Sequence, residues 1–198
     1  MIENNSMTVV SSWNEWDPLK HVIVGRADGT QIQAPEPAVQ PDFPDRGYPL
    51  GTFGPLPEEM EEKACELLDN FAAILENRGI RVDRPVPLDF SQPIQTPDWQ
   101  QGTMFGCMPP RDVLLTVGNE IVEAPRSVRK EKMPLCTCSL WLNMNCLVID
   151  TKTICVEAAE TPMMELLDRY GFEVIPVTLF EVSPFGGGLH CATADVYR

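Results

Sequence analysis

The residues that could do chemistry are clearest in a glycine run that ends in a cysteine, Gly186-Gly187-Gly188-Leu189-His190-Cys191. Consecutive glycines allow turns that other residues resist, and they let the backbone approach a ligand closely. A thiol at the end of such a loop is a candidate nucleophile. Little of an ordinary thiol is ionised at neutral pH, so Cys191 needs a neighbouring base or a positive dipole. His190 does not obviously supply it, because adjacent side chains of an extended segment point to opposite faces.

The other thiols and the second histidine favour structural interpretations. The seven cysteines are irregularly spaced and no secretory signal precedes them, which favours free thiols in a reducing cytoplasm. Cys136, Cys138, His190 and Cys191 are residue types that bind zinc, but no Cys-x-x-Cys pair is present and we expect no metal. His21 begins an apolar strand and is expected to have a structural role.

Composition limits the partners of the chain. Its 198 residues carry a formal net charge of -14. A strongly acidic protein repels nucleic acid and an anionic membrane surface, so neither is expected as a partner. The longest apolar run, residues 146–149, is too short to span a bilayer. We therefore expect a cytoplasmic protein without a nucleic-acid or membrane partner.

Two stretches predict a helix that is closed by glycine and followed by a strand. Residues 57–78 combine a proline in the first turn, acidic residues near the start and one apolar stripe, and Gly79 follows them. The second helix is predicted over residues 161–170, with Thr161 as its cap and Pro162 in its first turn. Gly171 then precedes a strand, as Gly79 does, which indicates a repeat.

Two predicted hairpins strengthen the case for a repeat. They span residues 113–124 and 145–158, and both end in Val-Glu-Ala. The second hairpin is followed by a helix, a strand and the glycine-cysteine loop. The first runs instead into residues 126–134, which are charged and lack an apolar stripe. That segment is either a flexible linker or the place where a repeated module is interrupted.

Four motifs, taken together and in order, resemble those of one enzyme family. They are SWNEWDPLK at residues 12–20, VGNEIVEAP at 117–125, WLNMN at 141–145 and GGGLHC at 186–191. They are similar to motifs of the arginine:glycine amidinotransferases, above all the cyanobacterial members that supply guanidinoacetate to toxins such as cylindrospermopsin. The resemblance covers residues 11–129 and 133–198 and indicates an internally deleted or fragmentary member.

The resemblance implies a fold and a reaction. The family has the pentein fold, an α/β propeller of five ββαβ modules. An incomplete set is expected here, with residues 1–129 as the N-terminal part and residues 130–198 as the module that carries the nucleophile. In the implied reaction a thiolate attacks the guanidinium carbon of L-arginine and ornithine leaves. The amidino group then passes to an amine, here glycine, which gives guanidinoacetate. No cofactor is needed.

The resemblance also implies site residues, one position at a time. Cys191 matches the nucleophile, and Asp112 matches a carboxylate that binds the guanidinium of the donor. Without the resemblance, Asp112 would be interpreted as an exposed turn aspartate. Ser139 matches one of two adjacent serines that contact substrate, and Cys138 stands where the other serine is found. The catalytic histidine of the family and its aspartate partner have no counterpart in this sequence.

Three functions stay open at this stage. The first is an amidinotransferase, which we expect to be inactive or very weak in this form because it lacks the general acid/base. The second is a non-catalytic partial pentein or binding fragment. Its open strand edges and apolar faces would favour association, for example into a homo-oligomer. The third is a related hydrolase, in which water replaces the amine and citrulline is released.

Overall fold

The computed structural model of the chain describes residues 9–32, 54–95, 97, 100–101, 104–123 and 145–198. These residues form short strands, two helices and two 3₁₀ helices. The strands are β1 (His21–Val24), β2 (Gln31–Ile32), β3 (Gly54–Pro55), β4 (Arg81–Asp83), β5 (Ile94–Gln95), β6 (Gln100–Gln101), β7 (Leu114–Val117), β8 (Glu120–Glu123), β9 (Leu147–Val148), β10 (Thr153–Glu157), β11 (Glu173–Val177) and β12 (Thr193–Tyr197). The helices are α1 (Glu58–Glu76) and α2 (Thr161–Arg169), and the 3₁₀ helices are Pro110–Asp112 and Phe180–Phe185.

One complete ββαβ module lies in the second half of the chain. Strand β10 pairs antiparallel with β9 and parallel with β11, and α2 forms the crossover between β10 and β11. All five residues of β10 are buried, as expected for the central strand of a covered sheet. The predicted order of hairpin, helix and strand is confirmed. Thr161 as the cap is wrong, because Glu160 occupies the cap position and α2 begins at Thr161 itself.

A second module of the same design joins distant parts of the sequence. Strand β1 pairs antiparallel with β12 and parallel with β4, and α1 connects β1 to β4. Gly79 and Gly171 close the two helices at positive φ, 79° and 84°, which glycine adopts at little cost. The predicted helix–glycine–strand repeat is therefore confirmed. The sequence did not reveal that β12 supplies the remaining strand of the first module.

This sheet takes strands from both parts of the predicted division, since β1 and β4 precede residue 129 and β12 follows residue 130. The boundary itself lies outside the described residues, so the division stays a prediction.

One hydrophobic cluster supports both modules. The stripe predicted on α1 is buried, apart from the half-buried Met60, and it includes Leu68, Phe71 and Leu75. The cluster continues through Leu147 and Ile175 of the second module. Both sheets are therefore fixed against the same core, and so is the loop between β11 and β12, where the candidate nucleophile lies.

The hairpin predicted at residues 113–124 is also confirmed, as β7 and β8. It forms a two-stranded sheet of its own, with Gly118 at φ 63° in the turn. Several of its apolar side chains face solvent, namely Val113, Leu115, Val117, Ile121 and Val122. Residues 126–134, where the repeat was predicted to be interrupted, lie outside the described residues. Over the described ranges the fold is α/β with ββαβ modules, and the sheets there do not close into a propeller.

Candidate active site

The glycine loop brings the backbone against the sulfur of Cys191. It follows the 3₁₀ helix Phe180–Phe185, and φ is 117° at Gly186 and 143° at Gly187, values that favour glycine. A Cβ atom added to Gly187 would lie 2.6 Å from Sγ of Cys191. A side chain at Gly187 would therefore displace the sulfur. The close approach expected of this glycine run is made to the cysteine itself.

The cysteine lies in a turn and not in an extended segment. The N–H of Ala192 donates to the carbonyl of Gly188 at 2.9 Å, and the N–H of Thr193 donates to that of His190 at 3.2 Å. The side chains of His190 and Cys191 were expected on opposite faces of an extended segment, but in a turn adjacent side chains do not alternate in this way. The two side chains nevertheless contact different partners, because the imidazole lies against Glu15 and the sulfur lies against Asn145.

Asn145 contacts the cysteine turn at three atoms. Its Nδ2 donates to Sγ of Cys191 at 3.2 Å. Its Oδ1 accepts the backbone N–H of His190 at 2.6 Å and that of Cys191 at 3.3 Å. Asn145 lies two residues before β9, so the sheet of the second module fixes it in place. A single half-buried amide therefore sets both the backbone and the sulfur of the candidate nucleophile.

Neither histidine of the chain directs its Nε2 at the sulfur. His190 Nε2 lies 3.2 Å from a carboxylate oxygen of Glu15. Burial and the nearby Arg111 guanidinium lower the pKa of His190, so its imidazole is neutral at pH 7. His21 Nε2 lies 2.7 Å from Asp83 across β1 and β4, which agrees with the structural role predicted for it.

Arg111 ties the Pro110–Asp112 helix to the cysteine turn. Its Nε donates to the carbonyls of His190 and Thr193 at 3.1 and 3.0 Å. Its Nη1 lies 3.0 Å from Glu15, and its Nη2 lies 2.8 Å from the buried carboxylate of Asp195. This carboxylate also accepts from Nε of Arg198 at 2.6 Å. The network fixes the turn from the side of β12.

Asp112, the predicted guanidinium ligand, is half-exposed and ends the same 3₁₀ helix. Pro109, the residue before that helix, packs against the glycine loop, because a Cβ atom on Gly186 would lie 2.9 Å from its ring. The structure thus brings the segment of Asp112 next to the loop of Cys191. The roles of both residues stay predictions. Ser139 and Cys138 lie outside the described residues, and their predicted substrate contacts stay predictions too.

The other described cysteines are poor nucleophiles. Burial raises the pKa of Cys65 to about 11 and that of Cys155 to about 12. It also raises the pKa of Cys107 and of Cys146. These thiols stay protonated at neutral pH and act as small apolar side chains.

The alternative of a zinc site is only partly covered by the structure. Two of its four residues, Cys136 and Cys138, lie outside the described residues. Elsewhere in the described part of the chain, no group of three or more His, Cys, Asp or Glu residues is arranged to hold a metal ion.

Two small cavities border Glu15. One, of 260 Å³, is lined by Glu15, Cys146, Leu147, Val148, His190 and Arg198. The other, of 210 Å³, lies between the segment around Glu15 and the β7–β8 hairpin. Both are smaller than the usual ligand site, and Cys191 lines neither of them. Among the described residues, the best-defined part of the site is the candidate nucleophile Cys191 and its support by Asn145.

Sequence reasoning missed Glu15, Arg111 and Asn145. Glu15 and Asn145 belong to motifs that carried the family resemblance, but no role was assigned to them. Asn145 reaches Cys191 across 46 residues, and Arg111 reaches Glu15 across 96. No local spacing rule predicts contacts of that range. The only available signal was that Glu15 and Asn145 lie in the motifs and that Arg111 precedes Asp112.

Comparisons with known proteins show which proteins the chain resembles. No family model matches the chain. Over 123 residues, 61% of its length, the chain is 38% identical to a mitochondrial glycine amidinotransferase of Danio rerio. It is 39% identical over the same length to an L-arginine:L-lysine amidinotransferase of Pseudomonas savastanoi pv. phaseolicola. The matched part spans 29% of the first relative and 34% of the second, so the chain matches a minor part of each.

Solved structures show the same fold. The chain superposes on the inosamine-phosphate amidinotransferase of Streptomyces griseus with a TM-score of 0.81 and 22% identity. It superposes on an amidinotransferase of the saxitoxin biosynthetic pathway from Microseira wollei with a TM-score of 0.77 and 22% identity. Both alignments cover 96% of this chain and 97% of the other. The resemblance to the amidinotransferases that the motifs predicted is confirmed.

None of the helices in the described ranges is both long and apolar enough to cross a membrane.

Proposed function

We propose that this chain carries the nucleophile and part of the donor site of an amidinotransferase that uses L-arginine. One observation carries the proposal: the sulfur of Cys191 is held between the Gly187 backbone and the Asn145 amide, beside the helix that ends in Asp112. The similarity to amidinotransferases from animals and bacteria supports it. Asp112 would receive the guanidinium of arginine in a charge-assisted contact.

The proposed reaction has two steps. The thiolate of Cys191 attacks the guanidinium carbon, a C–S bond forms, the bond from that carbon to Nε of arginine breaks, and ornithine leaves with a proton on its new amine. The amine of the acceptor then attacks the amidino carbon. A C–N bond forms, the C–S bond breaks, the acceptor nitrogen loses a proton, and the thiolate is restored. Atoms and charge balance without a metal or an organic cofactor.

We propose glycine as the acceptor, which would give guanidinoacetate. Glycine amidinotransferases are among the relatives of this chain, and a structural neighbour belongs to a toxin pathway, which supports a role in toxin biosynthesis. Another relative is named for lysine, so the acceptor needs a direct comparison. We also propose the cytoplasm as the location, which the free thiols among the described cysteines support.

Among the described residues, neither histidine is placed to act as a general base at the sulfur of Cys191. The sequence holds two histidines, and Nε2 of each contacts a carboxylate, Glu15 for His190 and Asp83 for His21. Neither contact places an imidazole at the sulfur. We therefore expect very slow turnover by the 198-residue chain.

The test is product formation by the purified chain with L-arginine and either glycine or lysine. We expect slow release of ornithine together with guanidinoacetate, abolished in Cys191→Ala and retained in Cys146→Ala, which removes a neighbouring thiol. Intact mass should show an amidino adduct that is lost in Cys191→Ala. Citrulline in place of guanidinoacetate would identify a hydrolase. Fast turnover would refute the expected weakness, and ornithine formation that does not need Cys191 would refute the proposal.

The exposed hairpin favours a second candidate, a non-catalytic module that acts by association. Leu115, Val117 and Val122 present apolar side chains to solvent on β7 and β8. Such a face favours self-association or a protein partner. Sedimentation of the purified chain separates the candidates, because a monodisperse monomer would contradict association into a homo-oligomer.

A further inference from the structure

The contacts of the Asn145 side chain determine which atom of its amide is the oxygen and which is the nitrogen. Its oxygen lies 2.6 and 3.3 Å from the backbone nitrogens of His190 and Cys191. A backbone N–H only donates, so the atom that faces both of them must be the amide oxygen. The NH₂ group therefore faces Sγ of Cys191, at 3.2 Å, and the sulfur must act as the acceptor.

The other side of the sulfur is closed by backbone. Gly187 lies so near that a Cβ atom there would come within 2.6 Å of Sγ, and the same Cβ atom would lie 3.8 Å from Nδ2 of Asn145. The sulfur is thus confined between a glycine and an amide donor. The imidazole of His190 is turned to Glu15 at 3.2 Å, so the neighbouring histidine does not replace that donor.

We propose that Asn145 is a positioning residue for Cys191: its oxygen holds the turn, and its NH₂ group orients the sulfur and favours the thiolate over the thiol. A thiolate is a much stronger acceptor than a neutral thiol, so the N–H···S contact strengthens when the proton leaves. Asn145 lies two residues before β9 and contacts the sulfur directly. The use of the thiolate in amidino transfer rests on the proposed function, but its stabilisation by Asn145 does not.

Asn145→Asp keeps the support of the turn and replaces the donor with a negative charge. Aspartate has the same shape and keeps an oxygen for the two backbone N–H groups. It replaces the NH₂ group with an anionic oxygen against the sulfur. We expect alkylation of Cys191 by iodoacetamide at pH 7 to slow by about tenfold, because a like charge disfavours the thiolate. The difference should narrow at high pH, where the thiol ionises in both proteins.

Trypsin makes the measurement specific to one thiol. Residues 170–198 form one tryptic peptide in which Cys191 is the sole cysteine, and residues 153–169 form another that contains Cys155. The buried Cys155 should stay unreactive in every folded variant and so reports on unfolding in the same digest. Asn119→Asp, the same substitution in the exposed turn between β7 and β8, should leave the Cys191 rate unchanged.

Each outcome decides the proposal. A slower rate with a shifted pH profile in Asn145→Asp, a smaller but measurable loss in the uncharged Asn145→Ala, and a protected Cys155 in both support it, whether or not the chain makes ornithine. An unchanged pH profile overturns it, and the proposed function could still stand. Reactive Cys155 in Asn145→Asp would show that the residue only holds the fold, which also overturns it. Asn145→Ala, which lacks both polar groups, should give a smaller rate loss at pH 7 than Asn145→Asp, because it adds no negative charge.

Discussion

Replacing Asp195 with asparagine removes the negative charge between the guanidinium groups of Arg111 and Arg198. Asp195 is 4% exposed, and the two contacts measure 2.8 and 2.6 Å. The side chain of Arg198 is itself 2% exposed, so its charge has little access to water. Asparagine has the same shape and still offers one oxygen. The substitution therefore tests the charge and not the volume of the side chain.

The magnitude follows from burial. Removing one partner of a buried ion pair costs about 3–5 kcal/mol, and the remaining amide oxygen places Asp195→Asn at the lower end, about 3 kcal/mol. For a chain of this size each kcal/mol lowers the melting temperature by about 2–4 °C, so a decrease of about 6–12 °C is expected. Because Arg111 also holds the carbonyls of His190 and Thr193, the cysteine turn should loosen with it.

Thermal and urea unfolding, followed by circular dichroism, measure the effect. Asp168→Asn is the matched control, since Asp168 is exposed on α2 and its replacement should change stability by less than about 0.5 kcal/mol. A melting temperature of Asp195→Asn within about 2 °C of the parent would refute the reasoning, because it would show that the buried charge contributes almost nothing.

Three further predictions test the site and the core. Gly187→Ala should slow alkylation of Cys191 and destabilise the chain by about 2 kcal/mol, because residue 187 has positive φ and the new side chain contacts the sulfur. Gly171→Ala, whose added Cβ atom meets open space, should leave the alkylation rate of Cys191 unchanged. The pKa of His190 is lowered from 6.5 in the folded chain, so the unfolded chain binds this proton more tightly. The free energy of unfolding should therefore fall as the pH drops below about 6.5. Urea titrations from pH 7 to 5 should show a weaker pH dependence in His190→Gln. Phe71→Ala, which empties the centre of the core under α1, should cost about 3–5 kcal/mol by urea unfolding, and a loss below 1 kcal/mol would contradict the packing.

Local signals in the sequence predicted most elements of the described chain. The stripe on α1 has helical period, and the glycines after both helices occupy positive φ, so propensity and tertiary structure agree there. The cap of α2 was predicted wrongly because Thr161 has the right chemistry but Glu160 takes the position before the first turn. Neighbouring residues compete for a cap, and one sequence does not decide between them.

Long-range pairing could not be predicted from the residues themselves. β12 pairs with β1 through backbone hydrogen bonds. Residue types do not specify which strands pair, apart from an alternating or apolar pattern within each strand. The support of Cys191 is of the same kind, since Asn145 and Arg111 are ordinary polar residues until the fold places them. The candidate nucleophile could be named from its glycine loop, but its partners required the structure.

The pairing of β1 with β12 orders events on the ribosome. His21 opposes Tyr197, so the first module stays an open two-stranded sheet until residues 193–197 have left the exit tunnel. During that interval β1 exposes an unpaired edge to other nascent chains, and a pause in translation would lengthen the exposure. Cys191 lies two residues before β12. A truncated translation product that lacks β12 would lose the contacts of Arg111 to Thr193 and Asp195, so the turn that carries Cys191 would have no support from that side.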